Sequence, residues 1–175
     1  MGIYATDLRE LIIRPVLQQL NQWSPAAENL LLGTAAYESQ LAFRLQNPNT
    51  TNLGLYSISP ETHLNVWDNY LITDPDLASR VRGFASQQQF LKLPHHELIT
   101  NLSYATSIAW MIYRSNRIQL PDEDDIYGLA KCWLHLYNTR DKHEMPSYNL
   151  QVQSIEQFET QYRKLVLREH KKIAA

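Results

Sequence analysis

The chain contains a single cysteine, Cys132, among 175 residues. A lone thiol excludes an internal disulfide and leaves nothing for a thiolate metal site. Set in a helical pattern beside Trp133, it reads as a buried, inert side chain. A dominant charge sign is missing too. Sixteen Lys and Arg face 18 Asp and Glu, and a net charge of −2 exerts no global pull toward nucleic acid or anionic lipid. No segment reaches membrane-spanning length, and Met1 to Thr6 lacks the apolar run of a signal peptide, so neither a membrane anchor nor a secretion signal is expected. The five glycines form no phosphate-cradling loop. Ser39 has no matched His and Asp to activate it as a nucleophile. His63, His95 and His96 invite a metal reading, but adjacent histidines at a helix start point in different directions. No metal and no cofactor are expected.

What remains is globular: 44% hydrophobic and 19% charged residues, a length suited to one domain with a real core. The pattern predicts a mainly α chain, a single domain over 1–175. An N-terminal helix occupies 1–23, a motif-bearing core 24–140, and a C-terminal helix 154–172. Leu8, Ile12, Val16, Leu20 and Trp23 mark the first helical face, with Pro15 as a kink site. Ser24-Pro25 and Ser59-Pro60 each supply an N-cap and a proline at the first helical position. Asp74-Pro75-Asp76 opens a short helix ending near Gly83. Leu98, Leu102, Ala105, Ala109 and Ile112 predict one long helix from Pro94 to Arg117. Pro121-Asp122 begins another, and Ser154-Ile155-Glu156-Gln157 the last. The stretch from Gln46 to Ser59 is polar and turn-rich, and a short β-hairpin or flap near residues 50–59 is the one piece of β-structure expected.

Glu38 is the anomaly in this pattern. It follows Ala27, Leu30, Leu31 and Thr34 at helical spacing and precedes Leu41 and Leu45, so a carboxyl faces the core or a cleft. Burial disfavours the charged form and pushes such a group upward, toward the protonated acid that bond cleavage needs. The plainer reading is an ion pair, for which Arg44 is the nearest cation. Glu61 and Asp68 are available as second carboxylates, on a short helix where solvated positions are the simpler reading. Trp67, Trp110 and Trp133 fall on helical stripes as core residues. The basic cluster Arg163, Lys164, Arg168, Lys171 and Lys172 reads as a solvated helix face.

Three motifs stand in order along the chain: Glu38-Ser39, then Gly54-Leu55-Tyr56-Ser57-Ile58-Ser59-Pro60-Glu61-Thr62, then Tyr137-Asn138. Together they resemble the lysozyme-like family of soluble lytic transglycosylases and goose-type lysozymes, in the variant carried by bacteriophage particles. The resemblance spans about residues 27 to 140. It implies a peptidoglycan-cleaving muramidase or lytic transglycosylase acting on the β-1,4 bond between N-acetylmuramic acid and N-acetylglucosamine. Glu38 is then the catalytic acid and base, and Tyr137 touches it and fixes its orientation; the plainer reading of Tyr137 is a core aromatic with its hydroxyl satisfied locally. Ser39, Gly54, Tyr56, Ser57 and Asn138 line the substrate site. Tyr56, in the expected flap, is the candidate for sugar stacking, with simple packing as its alternative reading. Peptidoglycan glycan strands and other virion proteins are the implied partners. The particle, or the host cytoplasm during assembly, is the implied location. One departure stands out: the family's glutamine in the Gly-Leu-x-Gln segment is Ser57, a hydroxyl too short to span the same gap. That leaves a second reading, a lysozyme-like structural protein of a virion tail or portal vertex that kept the fold without the chemistry.

Overall fold

The structure, a computed structural model, describes residues 2–46, 48–138 and 146–167. Its elements are helices joined by short turns. Helix α1 (residues 5–19) has wide, π-type turns over Leu8–Ile13, where Arg14 donates its N–H to the Arg9 carbonyl five residues back. Pro15 follows directly. It has no N–H for the carbonyl four residues earlier, and its ring crowds that carbonyl, so the helix widens rather than kinks.

Helix α2 (Pro25–Ser39) is the centre of the molecule. Ser24 Oγ accepts the Ala27 N–H at 3.1 Å, and Pro25 takes the first position, where a missing N–H costs nothing. Eleven of its fifteen residues are buried, so it is enclosed by neighbours rather than amphipathic. α1 and the helices over residues 126–138 and 148–167 pack around it. Gly33 makes the closest approach possible, because a Cβ there would overlap the Phe158 ring.

The same cap chemistry starts α3 (residues 60–73), where Ser59 Oγ accepts from Thr62 N at 3.0 Å. It also starts α4 (Pro75–Phe84), where Asp74 accepts from Leu77 N at 3.0 Å. α5 (Gln89–Lys92) is a short piece that the periodicity does not single out. The long helix expected from Pro94 to Arg117 is two: α6 (residues 94–100) and α7 (Leu102–Ser115). Asn101 separates them, with extended backbone and a side chain that caps Tyr104 N at 3.1 Å. A residue that bonds the backbone ahead of it competes with helix continuation. α8 (residues 126–138) opens at Ile126 behind an Asp125 cap, five residues after the expected Pro121. α9 (residues 148–167) opens at Tyr148, six residues before the expected capping box. The remaining residues of the expected C-terminal helix, 168–172, lie outside the described residues. Leu30, Leu31, Ile108, Trp133 and Phe158 belong to one continuous apolar core.

The chain is mainly α-helical, and the β-hairpin expected near 50–59 is not formed. Among the described residues there is no strand, only isolated antiparallel bridges, Gln46 to Leu53 and Leu53 to Ile58. A ladder needs alternate side chains to face opposite sides, whereas Gly54, Leu55 and Tyr56 are all buried. The core takes consecutive residues, and the segment closes as a tight turn. Gly54 sits at φ 73° and Ser57 at φ 51°.

A candidate active site around Glu38

The last turn of α2 carries Glu38 and Ser39, and the chain then does something costly. Gln40, Leu41 and Ala42 follow with φ of 53°, 56° and 65°, three consecutive non-glycine residues in the left-handed region. Each stands at about 1–2 kcal/mol above its right-handed alternative, and such strain persists only where surroundings over-determine it. Ser39 Oγ accepts the Ala42 N–H at 2.9 Å, and its hydroxyl lies 2.6 Å from the Leu55 carbonyl. Leu41 N–H returns to Ala35 O at 3.1 Å, and Ile3 N–H donates to Leu41 O at 2.7 Å. The chain therefore reverses sharply beside Glu38 and brings residues 44–46 back across the end of α2.

Facing this reversal is the turn 53–58. Gly54 N–H donates to Leu45 O at 2.7 Å, and a Cβ on Gly54 would overlap the Leu98 carbonyl. Only glycine fits that approach at that φ. Between the two segments lies a cavity of about 270 Å³ lined by Tyr37, Glu38, Ser39, Gln40, Arg44, Leu45, Gln46, Asn52, Gly54 and Ser57. That is near the lower end of ligand pockets, roughly 300–1,000 Å³. Arg44 and Gln46 are exposed, so the cavity opens to solvent and suits part of a polymer rather than a whole enclosed molecule.

Glu38 is half-buried, and Oε1 accepts the Trp133 indole N–H at 3.0 Å from α8. Among the described residues lining the cavity it is the one carboxylate; amides (Gln40, Gln46, Asn52), the Ser57 hydroxyl and the Arg44 guanidinium make up much of the rest. Burial, and then the charge of Glu38, push the Tyr37 hydroxyl upward. The arrangement offers one carboxyl among amides, hydroxyls and a guanidinium.

Glu38, Ser39, Gly54 and Ser57 thus meet at one cavity, though Ser39 is 4% exposed and committed to backbone atoms. Tyr56 does not fit the stacking role expected of it. Its ring is fully buried and its hydroxyl lies 3.1 Å from Thr106 Oγ1, so it is a core aromatic, its hydroxyl pushed up by burial. Tyr137 is equally buried. Its hydroxyl donates to the Tyr56 carbonyl at 2.8 Å, which ties α8 to the turn under the cavity. Asn138 ends α8, half-buried. Glu61 and Asp68 are exposed, as their solvated reading has it.

Sequence reasoning missed two groups. Trp133 reads as a core residue, and it is fully buried, yet its N–H reaches Glu38 across 95 positions. Glu28, on the same helix as Glu38, is 2% exposed and binds Arg9 at 2.6 Å, Arg14 at 2.9 Å and the Trp23 indole at 2.8 Å. Burial raises its proton affinity, but the bonds from Arg14, Trp23 and Arg9 outweigh that and hold the carboxyl below its ordinary value. The available signal was the polar pair Glu28-Asn29 inside the apolar run from Pro25 to Ala36. A third polar cluster lies away from the cavity. His63, 1% exposed, faces His95 (Nδ1 to Nδ1, 2.9 Å) and Tyr104 (Nε2 to hydroxyl, 2.6 Å). Among the described residues no group of three or more His, Cys, Asp or Glu is placed to hold a metal ion, and no helix is long and apolar enough to cross a membrane. Burial pushes the half-buried Cys132 thiol upward, away from the reactive thiolate.

No protein-family model, curated protein or solved structure matches the chain.

Proposed function

We propose that the chain is a phage-type peptidoglycan-cleaving enzyme with a lysozyme-like fold, a muramidase or lytic transglycosylase carried in the virion to open the wall when DNA enters. The observation that supports this reading is the meeting of Glu38, Gly54 and Ser57, from two of the three ordered motifs, at one open cavity with a single carboxyl among its described lining residues. Tyr137, from the third motif, underlies it by bonding the Tyr56 carbonyl. Glu38 donates its proton to the glycosidic oxygen as the C1–O bond breaks. The resulting carboxylate then takes the proton of the sugar's own 6-hydroxyl, whose oxygen closes on C1 as a 1,6-anhydro ring, or the proton of a water that attacks C1 instead. Either route needs one carboxyl, unlike the two flanking carboxylates of most glycosidases. The amides and Arg44 at the rim suit acetamido and hydroxyl groups of a glycan strand.

A second reading, a structural virion component on the same fold, is favoured by two observations at the cavity itself. Ser57 stands where the resemblance expects a glutamine, and Tyr56 is withdrawn into the core, leaving the turn without a stacking ring. Digestion of purified peptidoglycan followed by mass analysis separates the readings. Anhydro ends identify a transglycosylase, reducing ends a muramidase, and intact wall the structural role. Glu38→Gln, nearly isosteric and unable to donate a proton, is expected to abolish cleavage while the circular dichroism spectrum is unchanged. Retained cleavage in that variant refutes the assignment.

A further inference from the structure

The geometry points to Trp133 as the positioning residue that fixes the Glu38 carboxyl and sets the pH at which it gives up its proton. This deepens the enzymatic reading and rests on Glu38 being its acid.

The indole has no freedom. It is fully buried, its ring centroid 4.2 Å from Tyr37 and 5.3 Å from the stacked Phe158, and these two rings are themselves 6.3 Å apart, so the three pack as a triangle. Phe158 is seated in turn on Gly33 and stacks on Tyr162 at 6.5 Å. This aromatic cluster links the cavity wall to α9 and fixes the indole with its N–H toward Oε1 of Glu38 at 3.0 Å. A buried indole N–H that loses its acceptor is penalised, so the carboxyl and the indole hold each other in place.

Two consequences follow for the acid. An oxygen that accepts an N–H behaves as the carbonyl oxygen of the protonated form, so Trp133 disfavours the acidic proton on Oε1. A donor also favours the ionised carboxyl over the neutral one, so the indole N–H acts directly on the pH at which Glu38 releases its proton. Among the described residues lining the cavity, the other titratable groups are the Tyr37 hydroxyl, half-buried on the same helix, and the exposed Arg44 guanidinium. Tyr37 reaches α9 as well, its hydroxyl 3.3 Å from Gln157 Oε1. Neither group is moved by a change confined to the indole nitrogen.

The test removes that nitrogen's proton and keeps the ring. Trp133→Phe is the simple variant. Replacement of Trp133 by benzothienylalanine, with sulfur in place of N–H, preserves shape where the smaller ring destabilises the core. In protein labelled with carboxyl-¹³C glutamate, the Glu38 resonance is identified by its loss in Glu38→Gln and followed through a pH titration. The pH profile of peptidoglycan cleavage is measured alongside. Removal of the N–H is expected to move the Glu38 midpoint upward by about one pH unit, the scale of the difference between a hydrogen bond to a carboxylate and one to a neutral carboxyl. The alkaline limb of the cleavage profile moves with it. A Glu38 midpoint unchanged in the benzothienyl protein overturns the inference. If the midpoint moves but wild-type protein leaves peptidoglycan intact, the positioning role stands and the enzymatic reading falls.

Discussion

Protonation of His63 is expected to be a main cause of acid destabilisation in this fold, and its size follows from the structure. The ring is 1% exposed. Trp67 Nε1 donates to the Tyr104 oxygen at 2.8 Å, which leaves the Tyr104 proton for His63 Nε2 at 2.6 Å. His63 is thereby a neutral Nδ1–H tautomer, donating to His95 Nδ1 at 2.9 Å. A second proton has no acceptor in this chain of bonds. Burial, and then the neighbouring His95, lower its pKa from 6.5 to about 4. Between those values the unfolded chain binds a proton that the folded chain refuses, so stability is fully present above pH 6.5, declines as pH falls, and levels off below about 4. The whole shift corresponds to about 3 kcal/mol, of which roughly 2 kcal/mol is lost between pH 7 and pH 5. For a chain of this size that lowers Tm by about 4–8 °C. Urea unfolding at half-unit pH intervals measures it, with His63→Gln as the comparison. The variant is less stable at pH 7, but its stability falls less steeply between pH 6.5 and 5. Glu28 and Glu97, both held below the ordinary 4.5, lose their contributions only at lower pH and leave that window clear. Equal slopes in wild type and variant refute the reasoning.

Other perturbations carry equally definite expectations. Glu28→Gln leaves Arg9 and Arg14 beside a neutral amide; with Arg9 86% and Arg14 64% buried, the loss is expected near 3 kcal/mol in urea unfolding, and a change under about 1 kcal/mol contradicts the buried-triad description. Gly54→Ala forces a Cβ onto the Leu98 carbonyl at a φ that penalises any side chain, and it is expected to cost about 3 kcal/mol or more and to abolish wall cleavage by displacing the turn. Ser39→Ala removes the acceptor of the Ala42 N–H and the bond to Leu55 O; a loss of about 2 kcal/mol is expected, and an unchanged unfolding midpoint shows that the left-handed turn holds without it.

The helices were legible because their signals are local. Ser24-Pro25, Ser59-Pro60 and Asp74-Pro75 each place an oxygen acceptor three residues before an orphan N–H, and all three caps form with donor distances of 3.0–3.1 Å. The break at Asn101 was missed for the converse reason. The apolar stripe continues through it, and the competing side-chain cap gives no periodic signal. The single-bridge turn at 53–58 also follows from packing rather than pattern, since the core takes up Leu55 and Tyr56 together.

For the site, residue order along the chain dictates that an acidic residue ends a deeply apolar helix and that a glycine-containing turn follows it. Both depend on order and spacing along the chain. Which groups surround Glu38 was decided only in three dimensions. Tyr56 and Tyr137 are buried because two helices and a turn converge on them. The Glu38 carboxyl meets Trp133 because α8 packs on α2 with its indole set against rings from α2 and α9. Periodicity can say that a side chain faces inward. Its partner is chosen by how separate helices pack, and hydrogen-bond complementarity across 95 residues leaves no mark in either local segment.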